Sequence, residues 1–221
     1  EGVSLIPNEI DFTIGQLLTD IEAMVENRNT NTKHIRDIVK EHKDKYFREV
    51  EKKLIKTGFY KLDDALGGLE GGDVTIIAAR PSVGKSAFVT QMIGFVASKF
   101  ARVGYFNLEM NENQVYERFV ARMSKLSLTR VRRAKQFLGG EEEAFEKANE
   151  ALANYDVVVS TGSKSVREIK SDCRHMKFDL IVIDYLQLIK ADKSFANRAS
   201  EVGEVSKAIK GLAMELNVPI I

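Results

Sequence analysis

The 221-residue sequence contains one cysteine, three prolines and no tryptophan. A lone Cys173 excludes an internal disulfide framework and fits a reducing compartment. No apolar run is long enough to span a bilayer. The opening Glu1-Gly2-Val3-Ser4 lacks both the basic and the apolar parts of a secretory signal. Charge of one sign is missing too. With 33 Lys and Arg against 32 Asp and Glu the formal net charge is +1, so contact with a polyanion must come from local basic surface. His34, His42 and His175 have no metal-ligand spacing and read as surface residues. What remains, 44% hydrophobic and 29% charged residues, is an ordinary globular composition. A soluble cytoplasmic protein with no membrane association is the expectation. Because position 1 is not Met and the chain ends on the strand-like Val218-Pro219-Ile220-Ile221, it reads as part of a longer chain.

Residues 9–57 contain no strand-like run. Ile35, Ile38 and Val39, then Phe47, Val50 and Leu54, recur at helical spacing, with Asn27-Arg28-Asn29-Thr30-Asn31-Thr32 as a polar break. Such a helical hairpin has no core of its own, so its apolar stripe must dock elsewhere. From Gly58 onward strands and helices alternate. Strands are expected over 74–79, 103–108, 156–160 and 180–183, the first buried on both faces. Helices are expected over 85–99, 129–138, 141–153 and 197–216. Asn111 with Gln114, and Ser165 with Glu168, read as capping pairs opening two more, the second running to about Lys177. Alternation of this kind implies an α/β fold with a mostly parallel sheet and helices on both faces. Cys173 is expected to be partly buried and inert.

Ala79-Arg80-Pro81-Ser82-Val83-Gly84-Lys85-Ser86 fits the phosphate-loop pattern G-x-x-x-x-G-K-[ST] at every defined position but the first. Gly84 lets the backbone approach a phosphate at the start of a helix. Lys85 supplies a cation for the β- and γ-phosphates, and Ser86 a hydroxyl for Mg²⁺. An alanine in the left-handed region costs about 1–2 kcal/mol, so Ala79 is expected at negative φ. Pro81 has no N–H and drives Arg80 toward an extended conformation. Phosphate donors are therefore expected from the amides of Val83, Gly84, Lys85, Ser86 and Ala87. ATP with Mg²⁺ is the expected ligand.

Phe178-Asp179-Leu180-Ile181-Val182-Ile183-Asp184 is an apolar strand ending in an acid, and Asp184 is a candidate Mg²⁺ ligand beside Ser86. Glu109 ends the 103–108 strand. Ligands of open parallel sheets sit outside the carboxyl ends of the strands, so Ala79, Glu109 and Asp184 can share a site. Two readings of Glu109 stand: a general base for the attacking water, or a carboxylate that favours the next helix dipole.

These motifs together resemble the RecA-type ATPase domain of the DnaB family of replicative helicases. The resemblance is carried by Thr57-Gly58-Phe59 with Leu62-Asp63, by the phosphate loop with its first-position alanine running on to Ala87-Phe88, and by Asn107-Leu108-Glu109-Met110. It continues through Ile183-Asp184-Tyr185-Leu186-Gln187-Leu188-Ile189 and Asn197-Arg198 with Glu201-Val202 and Ser206, to Leu216-Asn217-Val218-Pro219. It implies a RecA-like P-loop NTPase core over 57–221, truncated at its C-terminus and preceded by a helical N-terminal or linker segment over 1–56. It also implies a homo-hexameric, ATP-driven helicase that translocates on single-stranded DNA, with a primase or a helicase loader as partner. On it Glu109 activates water, Lys85 holds phosphate, and Ser86 and Asp184 hold the metal. The family's arginine finger and a sensor glutamine would fall beyond Ile221, so slow hydrolysis by this chain alone is expected. Residues 1–56 and 139–156 depart from the family pattern, which points to a phage or otherwise divergent member. A RecA-like ATPase of recombination or repair and a KaiC-like assembly switch are the alternatives.

Lys190 and Lys193 follow the second acidic motif, where a channel loop would contact a DNA backbone. Lys125, Arg130, Arg132, Arg133 and Lys135 form a basic cluster, read either as a nucleic-acid surface or as a solvated face balanced by Glu141, Glu142 and Glu143. Tyr185 and Leu186 are expected to pack rather than to stack on bases.

Overall fold

The computed structural model describes residues 32–43, 54–80, 82–190 and 197–221. The chain divides into two compact units, Glu1–Glu51 and Lys52–Ile221. In the first, α1 (Ile35–His42) begins where the His34 ring accepts from the Arg36 N–H. Its Ile35, Ile38 and Val39 are exposed. Phe47, Val50 and the polar break at 27–31 lie outside the described residues.

The second unit is built on parallel strands. β1 (Val103–Asn107) lies between β2 (Val157–Thr161) and β3 (Leu180–Asp184), in register from Val103 opposite Leu180 to Asn107 opposite Asp184. Alternate side chains leave a strand on opposite faces. Val103, Tyr105, Leu180 and Val182 enter one core with Val89, Ile93 and Phe119. Phe106 and Ile181 enter the other with Ile169, Cys173, Ile209 and Leu212. The first core is covered by α3 (Lys85–Ala97) and α4 (Glu112–Ser124), the second by α7 (Val166–Met176) and α8 (Arg198–Leu216). Complete burial of one such aliphatic side chain stabilises by about 1.5–3 kcal/mol. α2 (Tyr60–Leu66) is a short helix that hydropathy spacing did not reveal. It is tied down by Asp63, whose carboxylate accepts from the Thr57 N–H and hydroxyl at 2.7 and 2.8 Å.

The cap pairs form as their spacing implied. Asn111 and Gln114 close one capping box, Ser165 and Glu168 another, and Asn197 caps α8 by accepting from the Ser200 N–H. Burial drives the Cys173 thiol up to about 12, which makes it inert.

Two expected elements differ. The 74–79 run is not a strand buried on both faces. Only its start is laddered: the Thr75 N–H donates to the Ile220 carbonyl, and the Ile220 N–H to the Asp73 carbonyl. Residues 219–221 stand between that start and β3, where Ile183 N–H meets the Ile221 carbonyl at 2.8 Å. Beyond Thr75 no ladder bond forms among the described residues, and Ile76 is 74% exposed. The expected 129–138 helix is shorter: α5 (Leu128–Arg132) gives way to a 3-10 turn at Ala134–Gln136 before α6 (Glu141–Ala153). Side chains fasten this break. Arg130 donates to Glu141 and to the Gln136 carbonyl, and Glu141 accepts from the Leu138 N–H. Among the described residues no helix is long and apolar enough to cross a membrane.

Gly104 has its own test. A Cβ there would stand 2.8–3.0 Å from ring carbons of Phe178. Gly104→Ala should therefore destabilise by about 1–3 kcal/mol through overpacking. Urea denaturation reads this as a lower midpoint at constant slope, and an unchanged midpoint would show that the ring moves aside freely.

Candidate functional site

The site is assembled at the carboxyl ends of the strands. The loop before α3 is set by two residues in the left-handed region, Gly84 at φ 109° and Ser82 at φ 65°. Ala79 is not among the positive-φ residues, and Pro81 lies outside the described residues. The first intrahelical bond of α3 runs from the Phe88 N–H to the Gly84 carbonyl. The first-turn amides of Lys85, Ser86 and Ala87 thus have no carbonyl above them, as at any helix start. Together with the helix dipole they form an anion-binding terminus. The Val83 N–H donates, at a long 3.4 Å, to the Arg80 carbonyl.

Asp184 ends β3 only 3% exposed. Its Oδ1 lies 2.6 Å from Lys85 Nζ, and its Oδ2 accepts from the Ser86 hydroxyl at 3.4 Å. Lys85 Nζ also sits 4.6 Å from the centre of the Tyr185 ring, which therefore packs on the lysine. Asp184 and Ser86 supply hard oxygen donors of the kind Mg²⁺ takes when it brings most of its shell as water and phosphate. Among the described residues no group of three or more His, Cys, Asp or Glu could hold a metal ion. A cation here would rely on ligands carried in with a nucleotide.

Glu109 stands at the end of β1, exposed, with its peptide N–H held by Asn107. It lines the same cleft, of about 1030 Å³, as Lys85, Ser86 and Asp184. Gln114, Arg118 and Tyr185 line it too, and the sequence reading assigned none of them to the site. Gln114 had been legible only as a cap partner. Arg118 follows it by one helical turn, so the i,i+4 spacing on α4 was the available signal. The half-buried Arg118 guanidinium donates to Met110 Sδ and makes no ion pair with a carboxylate among the described residues.

The remaining candidates lie apart. Lys190 is exposed, does not line the cleft, and pairs its N–H with the Lys164 carbonyl. Lys193 lies outside the described residues. In the basic cluster Arg130 is paired with Glu141 and Arg132 with Glu117. The hydrogen bond between Arg130 and Glu141 pulls the glutamate below the usual carboxylate range and raises the arginine. That leaves Lys125, Arg133 and Lys135, so the solvated-face reading accounts for the two arginines.

Residues 55–221 match the family model of the DnaB-like helicase C terminal domain. The replicative DNA helicase DnaB of Geobacillus stearothermophilus is 34% identical over 227 residues, covering 97% of this chain and 50% of that protein. The chain therefore spans about half the length of this curated relative. Among solved structures, one ATPase domain superposes with a TM-score of 0.76 at 24% identity, covering 84% of this chain and 68% of that one. A DnaB-like replicative helicase, solved in a study of its interactions with primase, gives 0.77 at 21% identity over 97% of this chain and 57% of its own. Both likenesses establish the fold, an open parallel α/β sheet of RecA type.

The Lys85–Asp184 pair predicts a thermodynamic coupling. Lys85→Ala leaves a buried carboxylate with only the Ser86 hydroxyl, at a cost of about 1–3 kcal/mol in nucleotide-free protein. Adding Asp184→Asn should recover part of that loss, since a neutral amide is less costly to bury than an unpaired charge. Denaturant midpoints of the two single variants and the double variant test this; simple additivity would rule the coupling out.

Proposed function

The chain belongs to the DnaB-like helicase C-terminal domain family, and from that premise we propose that it is the ATP-hydrolysing motor segment of a replicative DNA helicase. In this reading residues 57–221 are the ATPase unit and residues 1–56 a helical N-terminal or linker segment. The motor works in the cytoplasm as a homo-hexameric ring translocating on single-stranded DNA, with a primase or a helicase loader as partner. The observation that carries it is one cleft lined jointly by the amides at the start of α3, Lys85, Ser86, Asp184 and Glu109.

Each group then has a task. The free amides of the first turn of α3 hold phosphate oxygens, with the helix dipole in support. Lys85 leaves Asp184 for the phosphates, which frees a carboxylate oxygen. Ser86 and Asp184 would hold Mg²⁺, which would supply charge neutralisation on the phosphate oxygens. Glu109 has no ion pair among the described residues, so its carboxylate is available to orient and deprotonate water. Arg118 faces the cleft as a further cation for anionic substrate.

Glu109→Gln should leave Mg·ATP affinity within a few-fold and lower the hydrolysis rate by about 10²–10⁴-fold. Fluorescent-nucleotide titration with single-turnover hydrolysis measures both, and an unchanged rate would leave Glu109 with only its helix-dipole role. Lys190→Ala with Lys193→Ala should weaken single-stranded DNA binding by the assembled ring. It should also flatten the plot of log affinity against log salt by about 0.7 per lost phosphate contact. Unchanged affinity would remove that loop from the DNA path.

A further inference from the structure

Behind Glu109 lies a buried polar pair, Tyr105 and Asn107, to which the reaction above assigns nothing; their exposures are 1% and 0%. Asn107 Nδ2 donates to the Tyr105 hydroxyl at 2.6 Å. Asn107 Oδ1 accepts from two successive peptide groups, Glu109 N–H at 3.1 Å and Met110 N–H at 2.6 Å. The preceding Leu108 N–H donates to the Asp184 carbonyl at 2.7 Å. Three consecutive amides are thus fixed as the chain leaves the sheet, two by Asn107 and one by the main chain of Asp184. Asn107 is itself directly opposite Asp184 in the parallel register.

An asparagine commonly closes a turn by bonding its own backbone two residues on. Burial changes its meaning. A buried carboxamide is costly unless its groups are paired, and here both its oxygen and its nitrogen are. The nitrogen partner is a phenol packed edge-on against Phe119, with ring centres 6.3 Å apart. Burial, and after it the nearby Asp184 charge, push the Tyr105 pKa well above that of a free phenol, so it remains a neutral hydroxyl. A satisfied buried network of this kind is rigid. Its free end is the peptide of Glu109, and its fixed end is the core shared by β1, α3 and α4.

We propose that Asn107, anchored by Tyr105, is the positioning residue that sets Glu109 against Asp184, so that the general base and the metal-binding carboxylate share one rigid frame. The inference rests on the reading of Glu109 as general base. It assigns Asn107 no contact with nucleotide, so its loss must appear in the rate of hydrolysis and not in nucleotide affinity.

The test measures single-turnover Mg·ATP hydrolysis and fluorescent-nucleotide affinity on the whole chain, well below its melting temperature. Asn107→Leu, similar in size but without polar groups, should lower the rate about 10²-fold while affinity changes no more than about threefold. Asn107→Ser keeps a weaker acceptor for the Glu109 amide and should recover about tenfold of that loss. An unchanged rate in Asn107→Leu, or a loss of rate and affinity together that serine does not restore, would overturn the proposal in favour of a purely structural turn. If Asn107→Leu does not fold, Tyr105→Phe carries the test: it keeps the ring and should slow hydrolysis several-fold at unchanged affinity, and an unaltered rate overturns the proposal. Glu109→Gln run alongside separates the two claims. Slow Glu109→Gln with normal Asn107→Leu removes only the positioning role, whereas normal Glu109→Gln removes both.

Discussion

Parallel pairing of Val103–Asn107 with Leu180–Asp184 holds the site and both cores in one geometry. Side chains alternate along each strand, so a slip of one residue would send every side chain to the opposite face. In the observed register Tyr105 and Val182 enter the core under α3 and α4, while Phe106 and Ile181 enter the core under α7 and α8. Gly104 leaves room there for the Phe178 ring, which meets Phe106 edge-on. The same register stops the strands level with one another, at Asn107 and Asp184. Both acids of the site hang from that line.

Electrostatics make the line selective. Asp184 is removed from water and has two partners, the Lys85 ammonium and the Ser86 hydroxyl. A buried carboxylate needs such partners, and both come from the first turn of the helix whose free amides invite an anion. In the proposed reading, phosphate and metal would compete for groups that already satisfy one another, and a nucleotide would have to replace the lysine on Asp184. Glu109 is the contrasting carboxylate: exposed and without an ion pair among the described residues, yet held at its peptide. One acid is buried and paired, the other exposed.

Some of this was legible before any coordinates. The pairs Asn111 with Gln114 and Ser165 with Glu168 are local devices, complete within four residues, and both cap as their spacing implies. The apolar character of β1 and β3 and the length of α8 were equally plain. Where reading and structure part, a distant partner decides. Val74 to Ala79 has the composition of an inner strand, but a strand exists only where another chain segment offers amides and carbonyls, and among the described residues Ile220 meets only the start of this run. The 129–138 stretch has helical composition, but Arg130 and Glu141 bond to its backbone and replace helical hydrogen bonds with their own. α2 depends on Asp63 folding back on Thr57, which no periodicity encodes.

The sequence by itself determined the residue types of the phosphate loop, the acids at two strand ends, the caps and the family to which they belong. Those are properties of neighbours along the chain, where spacing is geometry. Only the tertiary structure decided that Ser86 and Asp184, 98 residues apart, share a hydrogen bond, and that Asn107 faces a phenol on one side and the Glu109 peptide on the other. It alone placed Arg118 on the cleft and kept Lys190 off it. The reason is physical. Burial, pairing and charge compensation depend on what stands across space from a group, and that is fixed when the strands choose their register.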